Sequence, residues 1–85
     1  GLFRNHLKIK IESINWLQED HKMAINQEKK YLIRIRHRQT PQKGKLKMKG
    51  KKLYIVFDQQ QRGIAKGQFA AWYTKDQLIG SGEIM

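Results

Sequence analysis

Tyr31-Leu32-Ile33-Arg34-Ile35-Arg36-His37-Arg38, then Lys45-Leu46-Lys47-Met48-Lys49, then, beyond Gly50-Lys51, Leu53-Tyr54-Ile55-Val56-Phe57: this stretch decides the fold. From Ile33 on, the first run alternates strictly. As an extended strand it carries Ile33 and Ile35 on one face and Arg34, Arg36 and Arg38 on the other. The second run puts Leu46 and Met48 inside and Lys45, Lys47 and Lys49 outside. Gly50-Lys51 suits a two-residue hairpin turn, because glycine accepts the positive φ of a type II′ turn without a Cβ clash. That turn forces a register in which Met48 faces Leu53, Leu46 faces Ile55 and Lys47 faces Tyr54. Apolar then meets apolar across the ladder. The expectation is a sheet with one apolar face and one strongly cationic face.

The charge points the same way. Eighteen Lys and Arg stand against seven Asp and Glu, a net +11 over 85 residues. Eleven of the basic residues lie between Lys29 and Lys52, where there is no acid, and the other seven are balanced by the seven acids elsewhere. The entire excess belongs to one segment, and a concentrated field of this kind attracts polyanions. Basic tails lack alternating isoleucines, whereas this charge is mounted on strands. Solubility alone explains a few lysines on an edge strand, but unrelieved repulsion among eleven cations opposes folding. Arg34, Arg36 and Arg38 are the foremost candidates for phosphate, which guanidinium meets in a bidentate way; Lys45, Lys47 and Lys49 add unspecific attraction.

Size and composition bound the rest. The length is that of one small domain, residues 1–85, and Gly1 in place of methionine fits either a piece of a larger protein or a processed N-terminus. The chain has no cysteine, which excludes disulfides, thiolate zinc sites and thiol nucleophiles and fits a reducing, cytoplasmic setting. No apolar run approaches the roughly 20 residues that span a bilayer, and no signal-peptide core follows Gly1-Leu2-Phe3-Arg4. A membrane partner is not expected.

Along the chain, residues 6–14 alternate through Leu7, Ile9 and Ile11 and read as a strand, although Leu7, Ile11, Ile14 and Leu17 would also fit a helical stripe. Trp16 reads as a core plug rather than a stacking platform. Gln18 to Gln27 is a polar loop, and its Glu19-Asp20-His21 is a solvated turn rather than an acid–base pair. Gln39 to Gly44 reads as a turn around the only proline, Pro41. Leu53 to Phe57, apolar throughout, should be the most buried strand, ended by the polar Asp58 to Arg62. A bend at Gly67 leads to a strand over Phe69–Thr74 with Trp72 and Tyr73 on opposite faces. After a turn at Lys75-Asp76, Gln77 to Met85 is the last strand, and Gly80 and Gly82 mark close backbone approach. Six short strands without a helix make an all-β domain, a small six-stranded antiparallel barrel.

No catalytic constellation is visible. His6, His21 and His37 fall in different elements, which predicts no metal site. Gly80-Ser81-Gly82 resembles the start of a phosphate loop, but no helix follows, so barrel closure is the better reading.

Four ordered blocks resemble a known family. Ile35-Arg36-His37-Arg38-Gln39 is similar to the "(V/I)-R-Y-R-Q" stretch of the bacterial tRNA-specific 2-thiouridylases, once widely labelled tRNA (5-methylaminomethyl-2-thiouridylate)-methyltransferases. Val56-Phe57-Asp58 with Gln61-Arg62 resembles their "V-x-F-(D/E)-x-P-Q-R-A". Ile64-Ala65-Lys66-Gly67-Gln68-Phe69-Ala70-Ala71-Trp72-Tyr73 resembles "(I/V)-A-P-G-Q-x-x-V-F-Y", and Leu78 to Ile84 resembles "L-G-G-G-x-I". Asn15-Trp16 suits the "N-W" that precedes them. Gln60, Gly63 and His37 depart from the proline, alanine and tyrosine usual there.

The resemblance implies the family's C-terminal domain, a β-barrel similar to domain 2 of translation elongation factors. It further implies a parent enzyme that adenylates the wobble uridine of certain tRNAs with ATP and replaces its 2-oxygen by persulfide sulfur. The ATP loop, the two catalytic cysteines and a sulfur-donor protein's target would belong to upstream catalytic and central domains, leaving this chain non-catalytic and without a cofactor of its own. Two other readings stay open: a structural module packed on those domains without touching RNA, and a general RNA-binding barrel.

Overall fold

The computed structural model describes residues 3–18, 20, 22–35 and 40–85, which form strands, turns, loops and short 3₁₀ segments. Seven strands follow in order: β1 Phe3–Ile9, β2 Asn15–Trp16, β3 Glu28–Arg34, β4 Gln42–Lys49, β5 Lys52–Arg62, β6 Phe69–Thr74 and β7 Gln77–Glu83. They form one antiparallel sheet in the order β1-β5-β4-β3-β6-β7-β2. The sheet curls until its ends meet. Ile9 bridges Ile84, Lys10 N donates to Glu83 O at 2.8 Å, and Met85 N donates to Lys8 O at 2.9 Å. The sheet has seven strands where six were expected, the additional one being the two-residue β2.

The hairpin register is the one the alternation demands: Met48↔Leu53, Leu46↔Ile55 and Lys47↔Tyr54. Gly50 opens the turn at φ +59°, while Lys51 keeps a negative φ, the sign pattern of a type II′ turn. The core is the set of inward positions that alternation selects. Leu7 and Ile9 of β1, Tyr31 and Ile33 of β3, Leu46 of β4, Leu53, Ile55 and Phe57 of β5, and Ala70 and Trp72 of β6 pack with Ile79 and Ile84. Burial raises the Tyr31 phenol above its ordinary value, because the phenolate would lose hydration there. Trp16 is half-buried and meets Trp72 edge-on, ring centroids 5.5 Å apart, as a core plug should.

The two glycines of β7 sit where the curl closes. A Cβ on Gly80 would lie 2.8 Å from Trp72 Nε1 and 2.9 Å from the Asn15 carbonyl, and one on Gly82 would lie 2.6 Å from Ile9 Cγ2. Close approach, not phosphate binding, accounts for them.

Several boundaries differ from the sequence reading, each for a local reason. The first strand covers Phe3–Ile9 rather than residues 6–14, and Ile11 is exposed. The chain leaves it in a 3₁₀ turn, Ile11–Ser13, where Ser13 Oγ donates to Lys10 O at 2.6 Å and accepts from Glu83 N at 2.7 Å. A serine hydroxyl that holds local backbone groups competes with strand continuation. β3 starts three residues before Tyr31, at Glu28. β4 starts at Gln42, so Gly44 is within the strand, paired with Tyr31 and Phe57, and not in the turn.

β5 is buried on one face only. Tyr54 and Val56 point outward and are half-exposed, since its outer side is covered by no second layer. Nor does Asp58 end it. The strand continues to Arg62 because β1 still pairs with it there, Phe3↔Arg62 and Arg4↔Gln61, across an irregularity between Arg4 and His6. The buried Gln61 satisfies its amide by donating to Gln59 O at 3.0 Å.

Candidate nucleic-acid interface

Antiparallel pairing turns the outward residues of β1, β5, β4, β3 and β6 into rows that cross the sheet. One row runs Lys8, Tyr54, Lys47, Glu28; the next runs His6, Val56, Lys45, Lys30; a third runs Lys43, Leu32, Tyr73. Neighbouring strands are about 4.7–4.9 Å apart, so ammonium groups on adjacent rows share one surface. Along β4, Lys43, Lys45, Lys47 and Lys49 all face outward, opposite the buried Leu46 and the half-buried Met48.

Of the six residues that sequence singled out, four lie within the described residues and Arg36 and Arg38 lie outside them. Arg34 is fastened to its neighbour: Nη2 donates to the Tyr73 hydroxyl at 2.9 Å and the guanidinium lies 5.2 Å from the Tyr73 ring centroid. The contact holds the guanidinium in place at the ring, and a guanidinium's planar fork suits a planar anion. Lys45 and Lys47 converge on one carboxylate, Lys45 Nζ at 3.1 Å from Glu28 Oε1 and Lys47 Nζ at 3.5 Å from Oε2. The hydrogen bond from Lys45 is the main cause that holds Glu28 below its ordinary carboxylate value; desolvation opposes it, and the charges of Lys45 and then Lys47 add to the lowering. Lys49 is exposed at the strand end, beside His6, Lys47 and Tyr54, which line a shallow hollow of about 250 Å³.

Sequence reasoning missed three lysines. A groove of about 540 Å³ opens over Leu32 and Tyr73, and Lys30, Lys43 and Lys75 line it together with Lys45 and Asp58. Among the described residues, Lys30, Lys43 and Lys75 have no carboxylate within ion-pair distance. Parity carried the signal for two of them, since Lys30 shares the face of Arg34 and Lys43 that of Lys45. Strand limits drawn too tightly hid both. Lys75 sits in the β6–β7 turn at φ +53° and enters the groove only through the fold. On the other side of Tyr73, Arg34, Phe69 and Ala71 border a second hollow of about 300 Å³.

The arrangement offers fixed ammonium groups, one stacked guanidinium and a tyrosine ridge on an open surface. It suits electrostatic capture of a phosphodiester chain, with no described cluster of three metal-ligating side chains.

Residues 6–84 match the family model described as the aminomethyltransferase beta-barrel domain. The chain is 38% identical over 84 residues to the tRNA-specific 2-thiouridylase MnmA of Flavobacterium johnsoniae, an alignment covering 99% of this chain and 21% of that protein. It is 37% identical over 84 residues to the protein of the same name from Christiangramia forsetii, with the same coverage. Against that of Mycoplasma genitalium it is 37% identical over 78 residues, 89% of this chain and 20% of the relative. The chain thus spans about one fifth of the length of these relatives and matches their C-terminal region. With nearly every residue inside the matched span, the chain belongs to the aminomethyltransferase β-barrel domain family, as the counterpart of the C-terminal region of the MnmA proteins.

Proposed function

We propose that this chain is the C-terminal, tRNA-contacting domain of a cytoplasmic tRNA-specific 2-thiouridylase, and that it holds the tRNA while upstream domains carry out the sulfur chemistry. One observation carries the reading: the crossed rows that gather the lysines of β3 and β4 on one outer face around the groove at Tyr73. Ammonium groups on a rigid sheet release counterions from phosphates without reading bases, so the contact positions the tRNA and leaves its identity to other parts of the enzyme. ATP and the sulfur-donor protein belong to those other parts. Gly80-Ser81-Gly82 lies inside β7 against Ile9 and Trp72, which supports close strand packing as its role.

The test is a titration of the 85-residue chain with unmodified tRNA at two ionic strengths. Log K should fall by about 0.7–0.9 per phosphate contact against log salt. A flat salt dependence would refute the assignment of the basic face.

A second reading has an observation of its own. β6 and β7 contain no lysine or arginine, and Phe69 stands 54% exposed on β6. That flank suits packing against the rest of the polypeptide. If packing were the domain's whole role, the isolated chain would bind tRNA weakly and charge reversal on β4 would change only its solubility.

A further inference from the structure

Asp58 is an unexpected residue for a polyanion site. It faces outward on β5, one position beyond the Gly44↔Phe57 pair, so it lies across from Lys43. It lines both the groove at Tyr73 and an adjoining hollow of about 500 Å³ over Pro41 and Gln42, and no other acid among the described residues lines either. In a chain of net charge +11 it nonetheless makes no ion pair among the described residues. A carboxylate here repels phosphate, which weakens any site whose only task is to collect charge. It becomes favourable when the ligand brings a hydroxyl that donates to it beside the phosphate.

We propose that this groove seats one ribonucleotide unit of the bound strand, with the phosphate on Lys30, Lys43 and Lys75 and the ribose 2′-hydroxyl donating to Asp58. The inference rests on the reading that the basic face binds RNA and adds a specificity to it: the face distinguishes RNA from DNA. The 2′-hydroxyl is the group by which a protein can tell the two apart, and Asp58 supplies the acceptor. With DNA the carboxylate is pressed against the strand without a donor, so the same residue that favours ribose disfavours deoxyribose. Tyr73 forms the wall of the groove, and its position is fixed by Arg34 from the far side.

The test compares oligouridylate with oligodeoxyuridylate of equal length, by fluorescence anisotropy at one low salt concentration. The wild-type chain should prefer RNA by about tenfold, the low end for a hydrogen bond to a charged group. Asp58→Ala should weaken RNA, tighten DNA and bring the two together. Asp58→Asn also loses the charge but keeps an acceptor oxygen, and should retain most of the preference. Equal wild-type affinity for the two polymers would overturn the proposal, as would an unchanged RNA-to-DNA ratio when both variants simply tighten both polymers. Failure of both polymers to bind would instead overturn the underlying RNA-binding reading, so the two failures are distinguishable.

Discussion

Replacing Glu28 by glutamine tests the electrostatic reading most directly. Glu28 is exposed at the start of β3, and it occupies two of the lysines that face outward on β4, at 3.1 and 3.5 Å. Glutamine keeps the shape and the strand pairing opposite Lys47 but removes the charge. If tRNA lies across this face, Lys45 and Lys47 are freed for phosphate. Each new contact steepens the salt slope by about 0.7–0.9, and at 0.1 M salt that corresponds to roughly five- to eightfold in affinity per contact. If neither lysine reaches a phosphate, the lost charge still acts at a distance: one unit charge about 10 Å from a phosphate in water changes affinity by only about twofold. The two cases are therefore separable by slope as well as by affinity.

The assay is a set of tRNA titrations of wild type and Glu28→Gln between about 50 and 200 mM salt, the range over which such contacts dominate the change in affinity. Tighter binding with a slope steeper by about 0.7 or more is the expected result. Binding that is unchanged or weaker, with an unchanged slope, would refute the claim that the β4 lysines meet RNA. Thermal melting supplies the control. An exposed ion pair contributes little to folding, so Glu28→Gln should melt close to the wild type. The pH dependence of binding has a definite sign too. The folded-state value of Glu28 is lowered, so its interaction with the lysines is present above the ordinary glutamate value and is lost as pH falls through the lowered folded-state value. Glu28 should therefore add no pH dependence to tRNA binding near neutrality.

Arg34→Ala should weaken tRNA binding about fivefold at 0.1 M salt and flatten the slope by about 0.7. Arg34→Lys should recover only part of the loss, since an ammonium neither stacks on Tyr73 nor makes the planar fork, and titration of both variants measures this. Gly82→Ala places a methyl 2.6 Å from Ile9 Cγ2 and should cost about 1–3 kcal/mol by chemical denaturation. The cost should shrink in an Ile9→Ala background, which removes the opposing atom. The raised Tyr31 value means that the folded state holds its phenolic proton more tightly than the unfolded chain. Stability from this group is complete below about pH 10 and is lost as pH rises from there through the folded-state value, so Tyr31→Phe should flatten the alkaline part of a stability–pH curve.

What the sequence disclosed was whatever alternation controls. Ile33, Leu46, Ile55 and Trp72 are inward because a period of two leaves no other face for them, and the Gly50 turn fixes the β4–β5 pairing to the residue. Where a strand is set by its partner rather than by its own pattern, the reading failed. Asp58 to Arg62 is polar yet extended, because β1 pairs with it. Ile11 continues the alternation but turns out into solvent, because Ser13 captures the backbone. The same limit governed the site. Lys45, Lys47 and Lys49 were legible from parity, but that Glu28 pairs with two of them depends on β3 beginning at Glu28 and on the Glu28↔Lys47 register. The role of Tyr73 in fastening Arg34 joins residues 39 positions apart and is a property of the β3–β6 pairing alone.

The row arrangement also explains how a sheet with so many cations folds before any RNA arrives. Like charges placed directly opposite one another destabilise a sheet. On β4, Lys47 lies between Tyr54 and Glu28, and Lys43 faces Leu32, so neither has a cation as its cross-strand partner in the register. The exceptions are Lys49, across from Lys52 beside the hairpin turn, and Lys45, flanked by Val56 on one side and by Lys30 on the other. The ammonium of Lys45 is drawn away, along the strand, to Glu28 at 3.1 Å. Repulsion also remains in the groove, where Lys30, Lys43 and Lys75 border one space without a carboxylate bound to any of them among the described residues. A phosphate entering there relieves repulsion already present in the free protein, and no rearrangement of the sheet is required to make the contact.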